Sequence, residues 1–515
     1  MRLRKISAGK PVSSPMLGIR VVNYLNKLLK EPNNRIHQFI FESGSTRRGP
    51  LCAQHNSVAM WSVSLTCLLL IILASNAAEI SDEFSTEEPS TTPETEAYEE
   101  TTENVLSGVA DNSTEDFSGA QLYSVKLKTT AHQHVFQQLQ EQSLVDVWLH
   151  VKSKKSSRAE FMVMPNYIPK VLTMLYDAGI QPKIVVPNMQ RLIEKEKTEV
   201  VTKTNSARAA YKMNWDEYHR YDTIHALLLY YANEYPDTCT LHTIGKTVED
   251  RDIQLLKISS GGEENKPAVF IDGGMHAREW ISPAVVTYII KELVERRGKY
   301  RSFINDVDFH IVPIVNVDGY EYSHARNRLW RKNRASIWGL CSGVDLNRNF
   351  GYKWAAYFGT HNFGCSEDYR GATSFSEPET KAIREYIMFQ SKANYKAYLS
   401  FHSYGQMILY PYGYASGELP PDVDDLERVG KAAANAVQEL SGTIYKAGNS
   451  AKLMYRTAGA SDDWAKGEAG IKYSYIIELS DKGRYGFTLP AKFIKPTGAD
   501  AMEIVKVVAN EIKQV

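Results

Sequence analysis

Two side chains able to bind a metal stand three residues apart in His276-Ala277-Arg278-Glu279, just after the apolar run 268–271 breaks at Asp272-Gly273-Gly274. A β-branched and aromatic run stopped by paired glycines predicts a buried strand ending in a tight turn, so His276 and Glu279 should emerge together at its C-terminal end. A catalytic zinc site needs a third protein ligand and an open position for water, and His402 in Ser400-Phe401-His402-Ser403-Tyr404 can supply the ligand. Glu478 ends a third run, Tyr475-Ile476-Ile477-Glu478. Ligands of open α/β sheets bind beyond the carboxyl ends of strands, so these four residues should share one rim, with Glu478 off the metal and free to take a proton from water.

Each residue alone has a plainer explanation. A single histidine is usually a surface or core residue, and Asp345 in Gly343-Val344-Asp345-Leu346-Asn347-Arg348-Asn349 would ordinarily form a turn. The run Asn327-Arg328-Leu329-Trp330-Arg331-Lys332-Asn333-Arg334 has the look of a phosphate- or RNA-binding patch, but such runs are more often solvated surface, and no aromatic platform supports RNA binding here.

The elements that would position these residues form a sequence of units. Residues 1–59 carry mostly basic charges and are expected to be a leader or gene-model extension. Residues 60–78 hold an apolar run, 61–74, followed by small residues; it is shorter than a membrane span and predicts a signal peptide beginning at Met60, with a signal anchor as the alternative. Residues 79–120 are an acidic Thr/Glu-rich segment of disordered composition, with a glycosylation acceptor at Asn112. Residues 121–208 read as a βαββαβ unit, a small ferredoxin-like α+β module, followed by a charged helix and a linker of small polar residues containing Arg208, an exposed protease site. Residues 209–515 alternate strand and helix patterns, which predicts an α/β domain with a mixed, largely parallel sheet flanked by helices.

The 60 basic and 60 acidic residues balance, so overall charge suggests neither nucleic acid nor stable membrane insertion. Of five cysteines, Cys341 and Cys365 are close enough to staple one loop, as a secretory protein would, unless both remain thiols.

Taken together, from Leu122 to the C-terminus, these stretches resemble the zinc metallocarboxypeptidases of the pancreatic carboxypeptidase A/B type. His-Ala-Arg-Glu-Trp at 276–280, Asn-Arg-Leu-Trp-Arg-Lys at 327–332, Val-Asp-Leu-Asn-Arg-Asn at 344–349 and Ser-Phe-His-Ser-Tyr at 400–404 carry the resemblance, with Tyr455, Ser461-Asp462-Asp463-Trp464 and Glu478 through Phe487. It implies one Zn²⁺ held by His276, Glu279 and His402, Glu478 as general base and acid, and Arg331 stabilising the oxyanion. Asn347, Arg348 and Tyr455 would grip the substrate's terminal carboxylate, Arg278 would face the incoming peptide, and Asp345 would fix the tautomer of His276.

Asp462 matches the floor of the side-chain pocket, aspartate in the B-type enzymes, and so favours peptides ending in Lys or Arg; the alternatives are A-type specificity with Asp462 turned into its own loop, or an inactive relative that binds peptide ends. The resemblance further implies a secreted extracellular zymogen and a monomer, whose ferredoxin-like unit covers the site until a trypsin-like protease cuts near Arg208.

Overall fold

The computed structural model describes residues 114–515 except 154, 202–212, 262–264, 338–340, 357–358 and 515. The expected leader and signal peptide, Asn112 and Arg208 lie outside the described residues.

The N-terminal unit has the expected order: β1 (Gln121–Leu127), α1 (Thr130–Glu141), β2 (Asp146–Lys152), β3 (Ser157–Val163), α2 (Ile168–Asp177) and β4 (Lys183–Val186), followed by α3 (Met189–Val201). The strands form an antiparallel sheet in the order β2-β3-β1-β4. Alternation decides its two faces. Tyr123, Val125, Leu127, Ala159, Phe161 and Val163 pack with Phe136, Leu139, Val171 and Leu175 of the helices. Leu122 and Met162 point the other way and join a cluster completed by Leu329, Tyr404, Met407, Leu409, Ile476 and Phe487 of the C-terminal unit. On β2 the register slips between Val147, opposite Phe161, and Leu149, opposite Glu160, leaving Trp148 as the extra residue of a bulge. A bulge re-aims side chains, and here Trp148 and Leu149 both enter the shared cluster.

The C-terminal unit continues with α4 (Tyr221–Glu234), β5 (Cys239–Lys246), β6 (Asp252–Ile258), β7 (Pro267–Asp272), α5 (Ile281–Glu295), α6 (Arg297–Asp306), β8 (Asp308–Val312), α7 (Val317–Ala325), α8 (Pro378–Glu385), β9 (Asn394–Ser403) and β10 (Met407–Tyr410). It closes with α9 (Val423–Ser441), β11 (Lys446–Asn449), α10 (Ser450–Leu453), α11 (Ser461–Gly467), β12 (Tyr473–Leu479) and α12 (Ile494–Ile512). Eight strands form one mixed sheet, β11-β10-β12-β9-β7-β8-β6-β5, whose centre, β12, β9, β7 and β8, is parallel.

The run 268–271 is fully buried because helices cover both faces of β7, the environment in which a strand loses polar alternation. Val269, Ile271, Ala397, Leu399 and Phe401 face a core built with α4, α5, α9 and α12. Phe270 and Tyr398 face the opposite core, with Ile383 of α8 and Trp464 of α11, and their rings stack with centroids 5.7 Å apart.

Candidate active site

β7 stops where a side chain has no room. A Cβ on Gly273 would lie 2.8 Å from Ser282 Oγ and Val286 Cγ2, and Gly274 has φ +61°. The chain turns there and delivers His276 and Glu279 to the rim, before α5 begins at Ile281. The Asn316 side chain donates to the carbonyls of Met275 and Lys332, tying the His276 loop to the loop that carries Arg331. His402 and Glu478 are register partners on the parallel pair β9 and β12, so both side chains leave the sheet on the same face. The four residues expected on one rim are brought together.

His276 Nδ1 and His402 Nδ1 face each other at 3.1 Å, with Glu279 Oε1 2.7 Å from the first and Glu279 Oε2 3.2 Å from the second. The Ser403 N–H donates to Glu279 Oε2 at 3.0 Å and fixes the carboxylate. His276 Nε2 lies 3.1 Å from Asp345 Oδ1, which draws the imidazole proton to that nitrogen and leaves Nδ1 its lone pair. Burial, and after it Arg331, lower the His276 pKa, keeping the ring neutral as a metal ligand must be. Two imidazole nitrogens and a carboxylate oxygen, all within 4.8 Å of one another and buried, could hold a metal ion. Two imidazoles with one carboxylate suit catalytic zinc, which takes N and O ligands and leaves a position open to water.

Around this group, Arg331 donates to Asp345 Oδ2 through Nη2 at 2.8 Å and Nε at 3.1 Å. Burial alone would raise the Asp345 carboxyl, but Arg331, Arg348 and His276 overcome it and hold the group well below the usual carboxylate range. Arg348 is anchored on the carbonyls of Gly359 and Asn347 and donates to the Tyr455 hydroxyl at 3.0 Å, while Asn347 Oδ1 accepts the Ser461 N–H. Arg331, Asn347, Arg348, Tyr455 and Glu478 line one cavity with His276 and Glu279.

The two aspartates of α11 separate cleanly. Asp463 accepts N–H bonds from Gly413 and Tyr414 and fixes the loop. Asp462 is 1% exposed, its Oδ2 lies 3.5 Å from Ser450 Oγ, and its Oδ1 has no hydrogen-bond partner among the described residues. Cys341 and Cys365 are bridged, Cα to Cα 5.0 Å. Lys332 clips the same loop by donating to the carbonyls of Gly364 and Ser366.

The basic run 327–334 is neither a solvated face nor a phosphate patch: Arg328 and Lys332 are buried, and Arg334 stacks over Tyr322. Length and spacing could not reveal this, because the partners come from distant elements. Arg328 pairs with Glu196 of α3 at 2.5 and 2.8 Å, both side chains buried.

The ferredoxin-like unit roofs the cavity with Val147 and Trp148. Arg278, expected to face incoming peptide, is 1% exposed and donates to both oxygens of Asp146 on β2, at 2.6 and 3.1 Å, with Phe487 beneath its guanidinium. Glu160 accepts from the Tyr404 hydroxyl at 2.8 Å, and His150 stacks on Tyr455 with ring centroids 5.9 Å apart. None of Asp146, Trp148, Glu160 or Glu196 had been singled out, since no local pattern marks a residue whose partner is over a hundred positions away.

Residues 224–504 match the family model described as zinc carboxypeptidase, and residues 123–196 the one described as carboxypeptidase activation peptide. The chain belongs to the zinc carboxypeptidase family. It is similar to carboxypeptidase B of Bos taurus, 37% identical over 410 residues, which span 78% of this chain and 95% of the relative. Carboxypeptidase B of Astacus astacus is 45% identical over 303 residues, 58% of this chain and 99% of that one. Among solved structures, thrombin activatable fibrinolysis inhibitor superposes with a TM-score of 0.69 at 33% identity, covering 77% of this chain and 100% of that chain. Carboxypeptidase A of Helicoverpa armigera gives 0.72 at 30% identity, covering 78% and 98%. This member of the family is therefore a zinc-dependent zymogen, its activation domain still seated on the enzyme unit.

The roof contacts carry a measurable consequence. Asp146→Ala leaves the Arg278 charge without its partner under the roof, and truncating one member of a buried hydrogen-bonded ion pair costs about 2–5 kcal/mol. After the activating cut, the Asp146→Ala activation domain should leave the enzyme at least tenfold faster, read as a shorter delay before activity appears. Equal delays in variant and wild type would remove Asp146 from the latch.

Proposed function

We propose that the chain is a secreted, monomeric procarboxypeptidase, and that its 209–515 unit removes Lys or Arg from peptide and protein C-termini once a trypsin-like protease has cut near Arg208 and released the 121–208 unit. His276, Glu279 and His402 hold the zinc, Glu478 is general base and acid, Arg331 the oxyanion donor, and Asp345 orients His276. Zinc, when bound, supplies a Lewis acid for the scissile carbonyl and acidifies water.

The chain's own groups do the remaining work. Arg348, fixed on two carbonyls, presents a planar guanidinium fork that matches a carboxylate; with Asn347 and Tyr455 it reads a free chain end, so an internal peptide bond is not positioned for cleavage. Glu478 lies in the same cavity, where loss of water pushes its carboxyl up to about 8, the Glu279 charge adding to the rise and His402 and Arg331 opposing it. In its ionised form this carboxylate can take a proton from the attacking water and return it to the leaving amine. Arg331 meets the charge developing on the former carbonyl oxygen. The segment 60–78 supports export and the Cys341–Cys365 bridge agrees with it.

The observation that carries the basic specificity is the Asp462 carboxylate, buried with one oxygen unpartnered among the described residues. A buried charge without a partner is costly, and a cationic substrate side chain removes that cost where an apolar one cannot. The test is to treat the full chain with trypsin and compare hydrolysis of matched peptides ending in Arg and Phe, with and without a chelator. Chelator-sensitive release of Arg well above Phe is expected; preference for Phe would defeat the Asp462 assignment, and no chelator-sensitive release of either would defeat the enzyme assignment.

Burial pushes Asp462 up to about 6. Only its ionised form attracts a cation, so KM for the Arg peptide should rise about tenfold per pH unit below about 6, while KM for the Phe peptide does not follow. The profile is checked by steady-state kinetics on both peptides between pH 5 and 8, and parallel curves would exclude Asp462 as the titrating group.

A further inference from the structure

Behind His402 stand two buried side chains that the proposed chemistry leaves unused. Asp272 ends β7, and Ser400 is its register partner on the parallel neighbour β9. Alternation along β9 places Tyr398, Ser400 and His402 on one face. Ser400 Oγ donates to Asp272 Oδ1 at 2.7 Å and lies 3.0 Å from His402 Nε2. Asp272 and Ser400 are fully buried and His402 is 1% exposed.

A hydroxyl has a single proton to donate. With that proton committed to Asp272, Ser400 Oγ can only accept from His402. Nε2 must then carry a proton, which in the neutral ring leaves Nδ1, the atom turned toward His276 and Glu279, with the lone pair. We infer that Asp272, acting through Ser400, is a positioning residue that locks His402 as its Nε2–H tautomer and thereby sets the affinity of the site for zinc. The inference rests on His402 being a metal ligand. It makes the two histidines counterparts: Asp345 meets His276 directly, whereas Asp272 meets His402 through a hydroxyl.

The strand geometry explains the intermediary. Asp272 sits level with Ser400, and His402 lies two residues, about 6.6 Å, further along β9, beyond direct reach of a short aspartate side chain. Ser400, between them on the same face, spans the gap. Burial raises the Asp272 carboxyl, and Ser400, Tyr398 and the His402 ring oppose the rise in part.

The test uses the full chain with Ser400→Ala, Asp272→Asn, the double variant, and His402→Ala as reference. Zinc dissociation constants come from chelator competition, and the His402 tautomer from imidazole ¹⁵N shifts of the metal-free wild type, which needs no substitution to be read. Zinc binding should weaken about 10- to 100-fold in Ser400→Ala, the usual effect of losing a ligand's outer hydrogen bond, with a loss in Asp272→Asn that does not add in the double variant. The metal-free wild type should show His402 as Nε2–H. An unchanged zinc constant in both single variants, losses that add in full, or an Nδ1–H ring in the wild type would overturn the relay. Zinc bound as tightly by His402→Ala as by wild type would instead overturn the ligand assignment on which it rests.

Discussion

Glu478→Gln should bind zinc and substrate as the wild type does and turn over about 10²- to 10⁴-fold more slowly, the range lost when a positioned general base is removed. The substitution keeps size and shape and removes only the capacity to take a proton. Glu478 stands outside the His276, Glu279 and His402 group, so metal content measured after dialysis should equal that of the wild type. The effect should fall on kcat, because the proposed grip of Asn347, Arg348 and Tyr455 on the chain end does not involve it. A variant that has lost zinc would place Glu478 among the ligands, and one with wild-type kcat would assign proton transfer elsewhere.

The second large effect is expected at Asp462. Asp462→Asn removes the charge and keeps the shape, so kcat/KM for a peptide ending in Arg should fall by about 30- to 1000-fold, corresponding to the roughly 2–4 kcal/mol lost when a buried charge pair is broken. The peptide ending in Phe should be unaffected or slightly improved, since no ionised carboxylate then has to be buried against an apolar ring. The two substrates must therefore move apart in opposite senses or with one stationary; an equal loss on both would mean that Asp462 supports the loop rather than the pocket. Asp463 is the control for that reading, because its three accepted N–H bonds from Gly413 and Tyr414 make it the loop's support.

The two aspartates also show where sequence reading stops. Adjacent and chemically identical, they differ only in what surrounds them: Asp463 takes the N–H groups of Gly413 and Tyr414, and Asp462 lies against Ser450. The same holds at 327–334. Arg328, Arg331, Lys332 and Arg334 look alike in the sequence, yet one pairs with Glu196, one holds Asp345, one caps two carbonyls, and one lies over an aromatic ring. Arg278 joins them, since nothing near residue 278 announces that Asp146 occupies its guanidinium in the zymogen. On β2, strict alternation would have aimed Trp148 and Leu149 to opposite faces; the bulge sends both into the interface.

What the sequence alone determined is local and periodic. The βαββαβ order, the buried central strand 268–271, and the placement of His276, Glu279, His402 and Glu478 at strand ends follow from hydrophobic period and glycine breaks, which act over a few residues. Tertiary structure alone decided which charge meets which. His276 meets Asp345, Arg278 meets Asp146, Arg328 meets Glu196, and Asp462 keeps an oxygen without a hydrogen-bond partner among the described residues. The physical reason is range: strand and helix patterns are set by neighbours in the chain, whereas the energy of a buried charge depends on groups brought near it only when the sheet, the loops and the activation domain have closed around it.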